Sequence, residues 1–204
     1  AETDADPGIL QIFDLDSHKT LLRYPTGLTP TDLVFDDKTI YISNFDADTL
    51  TMVNKDDFAV KKIKTGHKPF KLALVHHTLY CLNHNDNSLL VVAEGGETRT
   101  FPLPYPGKPG NLLSTGEKLV ITSHSPEALR IISFNPANNA FQLVHQESYP
   151  YGETTVDTDN SAFYLRGQFA DGIFGINQLK LDKKGRIWLT DYLSGKLYII
   201  NPVK

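Results

Sequence analysis

An all-β fold of repeated four-stranded units is what this sequence predicts, and three observations predict it. Pro-containing turns recur at Gly27-Leu28-Thr29-Pro30, Gly66-His67-Lys68-Pro69 and Gly107-Lys108-Pro109. Their spacing of about 40 residues is that of four-stranded β-propeller blades. Each turn is followed by short apolar runs separated by Asp/Asn/Gly turns, as antiparallel hairpins require. No stretch sustains the three- and four-residue apolar spacing of a helix. The expectation is one propeller domain over residues 1–204 with about five blades.

The first full copy, near 31–64, reads Leu33–Phe35, Ile40–Asn44, Leu50–Val53 and Phe58–Lys64. The second, near 70–103, reads Leu72–Val75, Leu79–Asn83, Ser88–Val92 and Thr98–Leu103. The third, near 111–148, reads Leu112–Leu113, Leu119–Ser123, Leu129–Phe134 and Phe141–His145. At the start, Ile9–Leu15 and Thr20–Thr26 (a partial blade over 9–26) match only the last two strands of a blade. At the end, within 177–204, Leu179–Asp182, Ile187–Asp191 and Lys196–Asn201 match only the first three. Five strands thus stand where a shared closing blade needs four. Either the ring closes irregularly, or it is incomplete and its unpaired edges invite a second copy or a partner chain. Residues 153–174 break the rhythm, because only Thr154–Asp157 and Ala162–Leu165 read as strands there. They form either a truncated blade or a hairpin inserted between blades.

Ile40-Tyr41-Ile42-Ser43-Asn44, after its G-x-x-P turn, resembles the YVTN-type propeller repeat, and Leu79-Tyr80-Cys81-Leu82-Asn83 is a looser copy. The last unit, with Leu181-Asp182-Lys183-Lys184-Gly185-Arg186-Ile187-Trp188, resembles NHL repeats and, distantly, gluconolactonase-like propellers. These resemblances imply a propeller. They do not fix a function, since such folds serve as lactonases, lyases and binding scaffolds.

Composition bounds the partners. The chain has 204 residues, 22% of them charged, with a net charge of −4. No basic cluster of the kind nucleic acid needs is present, and no apolar run is long enough to span a membrane. Cys81 is the one cysteine, so an intrachain disulfide is excluded. Its apolar neighbours on a strand predict a buried, inert thiol. The polar start Ala1–Pro7 reads either as a mature end after signal cleavage or as an arbitrary boundary. These features leave the compartment open; the propeller-family resemblance implies a periplasmic or secreted location, with the cytoplasm as the alternative.

In a propeller the residue entering each first strand faces the funnel. Those positions are Asp32, Lys71, Asn111, Glu153 and Asn177, the candidate ligand-binding set. The gluconolactonase resemblance implies that Asp32, Asn111, Glu153 and Asn177 would hold a divalent cation (Ca²⁺, Mg²⁺ or Mn²⁺) that polarises an ester carbonyl. Lys71 would repel that cation. The Asn-Gly and Arg-Pro-Asn-Asp signatures of that family are absent, and Asn177 is followed by Gln178. Water-facing positions are polar in any propeller, so a solvated funnel without a cofactor is the expectation.

Asp46, His84 and His124 follow the second strand of successive blades and would share one face. Turn preference alone accounts for such residues. His76-His77 lies in a hairpin turn without ligand spacing. Tyr149-Pro150-Tyr151, Tyr105 and Phe169 read either as an aromatic lip or as inter-blade packing. A nucleophile elbow and a phosphate loop are both missing. The reading is therefore a non-catalytic propeller that presents a disc face or funnel to a protein or small ligand. Its alternative is a metal-dependent lactonase.

Overall fold

The computed structural model describes residues 7–125, 127–148, 154–157, 162–165, 176–191 and 196–200. Strands form wherever the sequence places apolar runs between polar turns. The chain divides into two compact units, Ala1–Pro102 and Leu103–Lys204.

In the first unit, β1 (Ile9–Asp14) and β2 (Lys19–Pro25) make a two-stranded antiparallel sheet. A four-stranded meander follows: β3 (Pro30–Phe35), β4 (Thr39–Asn44), β5 (Thr49–Asn54) and β6 (Val60–Lys64). A second meander runs β7 (Pro69–Val75), β8 (Thr78–Asn83), β9 (Ser88–Val92) and β10 (Thr98–Pro102). One 3-10 turn, Phe45–Ala47, joins β4 to β5.

The second unit opens with a third meander: β11 (Lys108–Ser114), β12 (Leu119–His124), β13 (Ala128–Asn135) and β14 (Ala140–Ser148). Strands β15 (Thr154–Asp157) and β16 (Ala162–Leu165) form a hairpin. Strands β17 (Ile176–Leu181), β18 (Ile187–Asp191) and β19 (Lys196–Ile200) form a three-stranded sheet.

The sheets stack face to face through apolar side chains. Leu10 of β1 packs with Ile42 and Val53 of the first meander. The opposite face of that meander, with Tyr41, Leu50 and Ile63, packs with Leu72, Leu79, Cys81, Leu90 and Val92 of the second. β4 and β8 bury side chains on both faces, so neither keeps a strict alternation of buried and exposed residues. β1, covered on one side, keeps the alternation and leaves Ile9 and Phe13 about half exposed, at 50% and 47%.

The second unit has a core of the same kind. Val120, Leu129 and Ile131 of the third meander share one core with Ile176, Leu179, Ile187 and Leu189 of β17–β18. These two sheets stack directly, and the β15–β16 hairpin stands between them in the chain. With that hairpin set aside, the two-stranded sheet, three meanders and the β17–β19 sheet fit about five blades.

The first strands start earlier than their apolar runs suggest. Pro30, Pro69 and Pro109 already pair with Asn44, Asn83 and Ser123, and a bulge follows each proline. The bulge breaks the two-residue alternation and hides the strand start from a periodicity reading. Strand β6 starts later, at Val60, because Phe58 has a positive φ of 58° and ends a turn.

The turn between β3 and β4 is held by Asp36, whose carboxylate accepts the Lys38 and Thr39 N–H groups and the Tyr41 hydroxyl. Asp182 does the same between β17 and β18, accepting the Lys184 and Arg186 N–H groups, Arg186 Nε–H and Trp188 Nε1–H. The register makes Trp188 the counterpart of Tyr41. The β3–β4 and β17–β18 turns thus carry two versions of one turn-aspartate and aromatic pair.

Donors hold the Asp182 carboxyl below the ordinary aspartate value, Trp188 first among them. A lowered folded-state value means this turn is stabilised above the ordinary aspartate range and loses that support as acid protonates it. Trp188 is the single tryptophan. Its emission is expected to stay constant on acidification to about pH 4 and to change only below the ordinary aspartate pKa. The transition should vanish in Asp182→Asn. A midpoint above pH 4 would show that the Trp188 bond is not made in solution.

Candidate functional site

The predicted funnel positions sit at the bulges. Asp32 and Lys71 occupy equivalent places on β3 and β7, and Asn111 the same place on β11. By register the fourth equivalent is Gln178. Asn177, the residue expected from the sequence, is the bulge residue before it. Glu153 lies outside the described residues, as do Tyr149, Pro150, Tyr151 and Phe169.

These side chains stitch one blade to the next. The Asp32 carboxylate accepts the Leu72 N–H at 2.9 Å, satisfying a donor that the β7 bulge frees from its ladder. Beside it, the Ser43 hydroxyl donates to the Phe70 carbonyl at 3.1 Å. In the second unit Asn111 Nδ2 lies 3.4 Å from the Ile176 carbonyl at the start of β17. The Asp32 oxygen so engaged is a poorer cation ligand than a free one. Among the described residues, three or more His, Cys, Asp or Glu side chains nowhere gather as a metal would need.

The register places the histidines that follow the second strands. The residue equivalent to His84 and His124 is Phe45, with Asp46 one position beyond. His84 is buried and packs against Phe45 and Phe70, with ring centroids 6.1 and 5.7 Å away. His67 pairs with Asp48 at 2.9 Å, and that hydrogen bond raises its pKa. His76 has a positive φ and His77 follows it in the hairpin turn. Cys81 is fully buried, and burial pushes its thiol pKa far up, so it is the inert core residue the sequence predicts.

One cluster escaped the sequence reading. Phe45 and Phe70 meet edge to face at 5.8 Å, both half-buried, with His84 beneath them. Lys68 Nζ lies 4.8 Å from the Phe45 ring centre and Lys71 Nζ 5.2 Å from that of Phe70. Lys68 also pairs with Asp46 at 3.6 Å, and Asp46 accepts the Thr29 hydroxyl. Phe45 stands in the 3-10 turn and Phe70 in the bulge, the two irregular points where a strand pattern gives no direction. Their places after Asn44 and Pro69 in consecutive repeats were the available signal. Paired rings flanked by two ammonium groups offer an apolar platform with a cationic rim.

No known protein family and no curated protein matches the sequence. Solved structures do match. The hydrazine synthase of Kuenenia stuttgartiensis is similar over 89% of this chain and 49% of its own, at 15% identity and a TM-score of 0.66. A chain of the nidogen/laminin complex is similar over 97% of this chain and 72% of its own, at 14% identity and a TM-score of 0.66. Virginiamycin B lyase from Staphylococcus aureus is similar over 85% of this chain and 71% of its own, at 14% identity and a TM-score of 0.54. The fold is a β-propeller. The chain spans about half the length of the hydrazine synthase chain and 60% of that of another similar structure, a Desulfotomaculum acetoxidans protein. At these identities the likeness concerns the fold alone.

Proposed function

We propose that this protein is a non-catalytic binding propeller, and that the Phe45–Phe70–His84 cluster with Lys68 and Lys71 is its recognition surface. The observation that carries this reading is the pairing of two half-buried rings with two ammonium groups where the β4–β5 turn of one blade meets the start of β7 in the next. Such a surface suits a ligand with an aromatic or aliphatic body and a negative charge, as in an acidic peptide. The use of Asp32 and Asn111 as inter-blade stitches supports a structural role for them rather than a catalytic one. The exposed apolar face of β1–β2 (Ile9, Phe13 and Leu21) adds the surface on which a homodimer or partner chain would sit. A propeller in the nidogen/laminin complex offers a precedent for protein recognition.

Panning a displayed peptide library on the protein tests the proposal. Acidic peptides with aromatic residues are expected to be enriched, and Phe70→Ala with Lys71→Ala should weaken their binding about tenfold or more. The rival is a metal-dependent lactonase with its site at the funnel positions, and the lyases among the similar structures keep it in view. A stoichiometric divalent cation lost on substituting Asn111 and Glu153, together with lactone hydrolysis, would establish the enzyme instead.

A further inference from the structure

Arg130 is only 8% exposed, yet among the described residues no acidic side chain pairs with its guanidinium. Nε donates to Gln146 Oε1 at 2.9 Å, and Nη1 donates to the Pro106 carbonyl and to Ser125 Oγ, both at 3.0 Å. All three acceptors are neutral. The guanidinium also lies 6.0 Å from the Tyr105 ring centre. The nearest acid along this network is Glu127, an exposed residue that meets the Ser125 hydroxyl at 3.2 Å rather than the guanidinium. Buried charges are ordinarily paired, because an uncompensated one is costly away from water.

The repeat shows how unusual this residue is. The register pairs Asn44 with Thr49, Asn83 with Ser88, Ser123 with Arg130 and Asp191 with Lys196. In the first two copies a buried amide meets a hydroxyl, at 3.2 and 3.0 Å. In the last a carboxylate stands opposite an ammonium. Only the third copy of these four sets a cation against a small neutral side chain, on a hairpin whose pairing runs one step further, to His124 and Leu129. Its partner side chain has shrunk from an Asx residue to serine while the charge has grown.

We propose that Arg130 is the anchor of an oxyanion site on the second unit, which takes the carboxylate or phosphate group of a ligand through Nη2. Nε and Nη1 are committed to the protein, so they fix the guanidinium plane and leave Nη2 to the ligand. Ser125 and Gln146 orient the group, and Tyr105 flanks it. This site is independent of the aromatic cluster on the first unit.

The test follows the Arg130 Nε–H resonance of the whole protein by NMR during titration with sodium acetate and, separately, sodium phosphate. Ionic strength is held constant with sodium chloride. A saturable shift of this resonance and of the Ala128–Ile132 amides is expected. Saturation by acetate alone assigns a carboxylate ligand, by phosphate alone a phosphate ester, and by both a general oxyanion site. Ser123→Asp places a carboxylate opposite Arg130, where Asn44 and Asn83 show that an Asx side chain fits beside the turn glycine. It should weaken either response about tenfold or more. A wild-type protein whose Arg130 resonance shows no saturable shift with either anion overturns the proposal, whether or not the variant folds. An undiminished response in folded Ser123→Asp overturns it as well.

Discussion

Replacing Asn44 by alanine is expected to lower the unfolding free energy by about 3 kcal/mol, a large effect for one polar residue. Asn44 is fully buried and makes three hydrogen bonds. Its Oδ1 accepts the Gly27 N–H at 2.9 Å, and Nδ2 donates to the hydroxyls of Thr49 and Thr51 at 3.2 and 2.9 Å. Alanine removes all three and leaves the Gly27 donor buried without a partner. It also removes what binds the G-x-x-P turn to the end of β4. Glycine is needed in that turn because a Cβ at Gly27 would lie 2.6 Å from the Asn44 Cβ. Asn83→Ala in the next repeat should cost less, about 1–2 kcal/mol. Asn83 Nδ2 donates to Ser88, but its buried Oδ1 has no hydrogen-bond partner. Urea unfolding of both variants checks the order, and equal losses would mean that the Gly27 bond contributes nothing.

Truncating Ile131 to alanine is expected to destabilise the protein by about 2–5 kcal/mol, through lost burial and the cavity left behind. Ile131 is fully buried in the core that joins β11–β14 to β17–β19. Ile187 lies in the same core from the other sheet. Ile187→Ala should cost a similar amount, and the double variant should depart from additivity by about 0.5 kcal/mol or more, as for residues that share a cavity. Strict additivity with small single effects would mean that these sheets are separate layers.

Much of the fold was legible because its rules are local. The G-x-x-P turns, the Asp36 and Asp182 turns and the second strands Ile40–Asn44 and Leu79–Asn83 each carry their own pattern. Period-two alternation and turn residues report the backbone directly. The first strands were legible only from Leu33, Leu72 and Leu112 onward, because a bulge precedes each of these residues. That one-residue irregularity also separates Asn177 from Gln178, which the register sets level with Asp32 and Asn111.

The candidate site was less legible. Asp32 and Asn111 were singled out as polar residues at a strand entry, which is where they stand. Their hydrogen bonds to Leu72 and Ile176 join segments far apart in sequence, which no local pattern announces. Phe45, Phe70 and His84 read separately as a turn residue, a strand residue and a loop histidine. Arg130 stood in plain view at the repeat position of Thr49 and Ser88, but only the strand register establishes that equivalence.

By itself the sequence determined that this chain is all-β, that its units are four-stranded and about 40 residues long, and that Cys81 is an inert core thiol. Those properties follow from spacing and polarity, which act over a few neighbouring residues. Tertiary structure alone decided that the third meander packs directly on β17–β18, that funnel-position side chains serve as stitches, and which rings and cations meet. Such outcomes depend on which sheet faces which. That choice is made by burying apolar surface and satisfying bulge donors across long sequence separations, where no periodicity survives to be read.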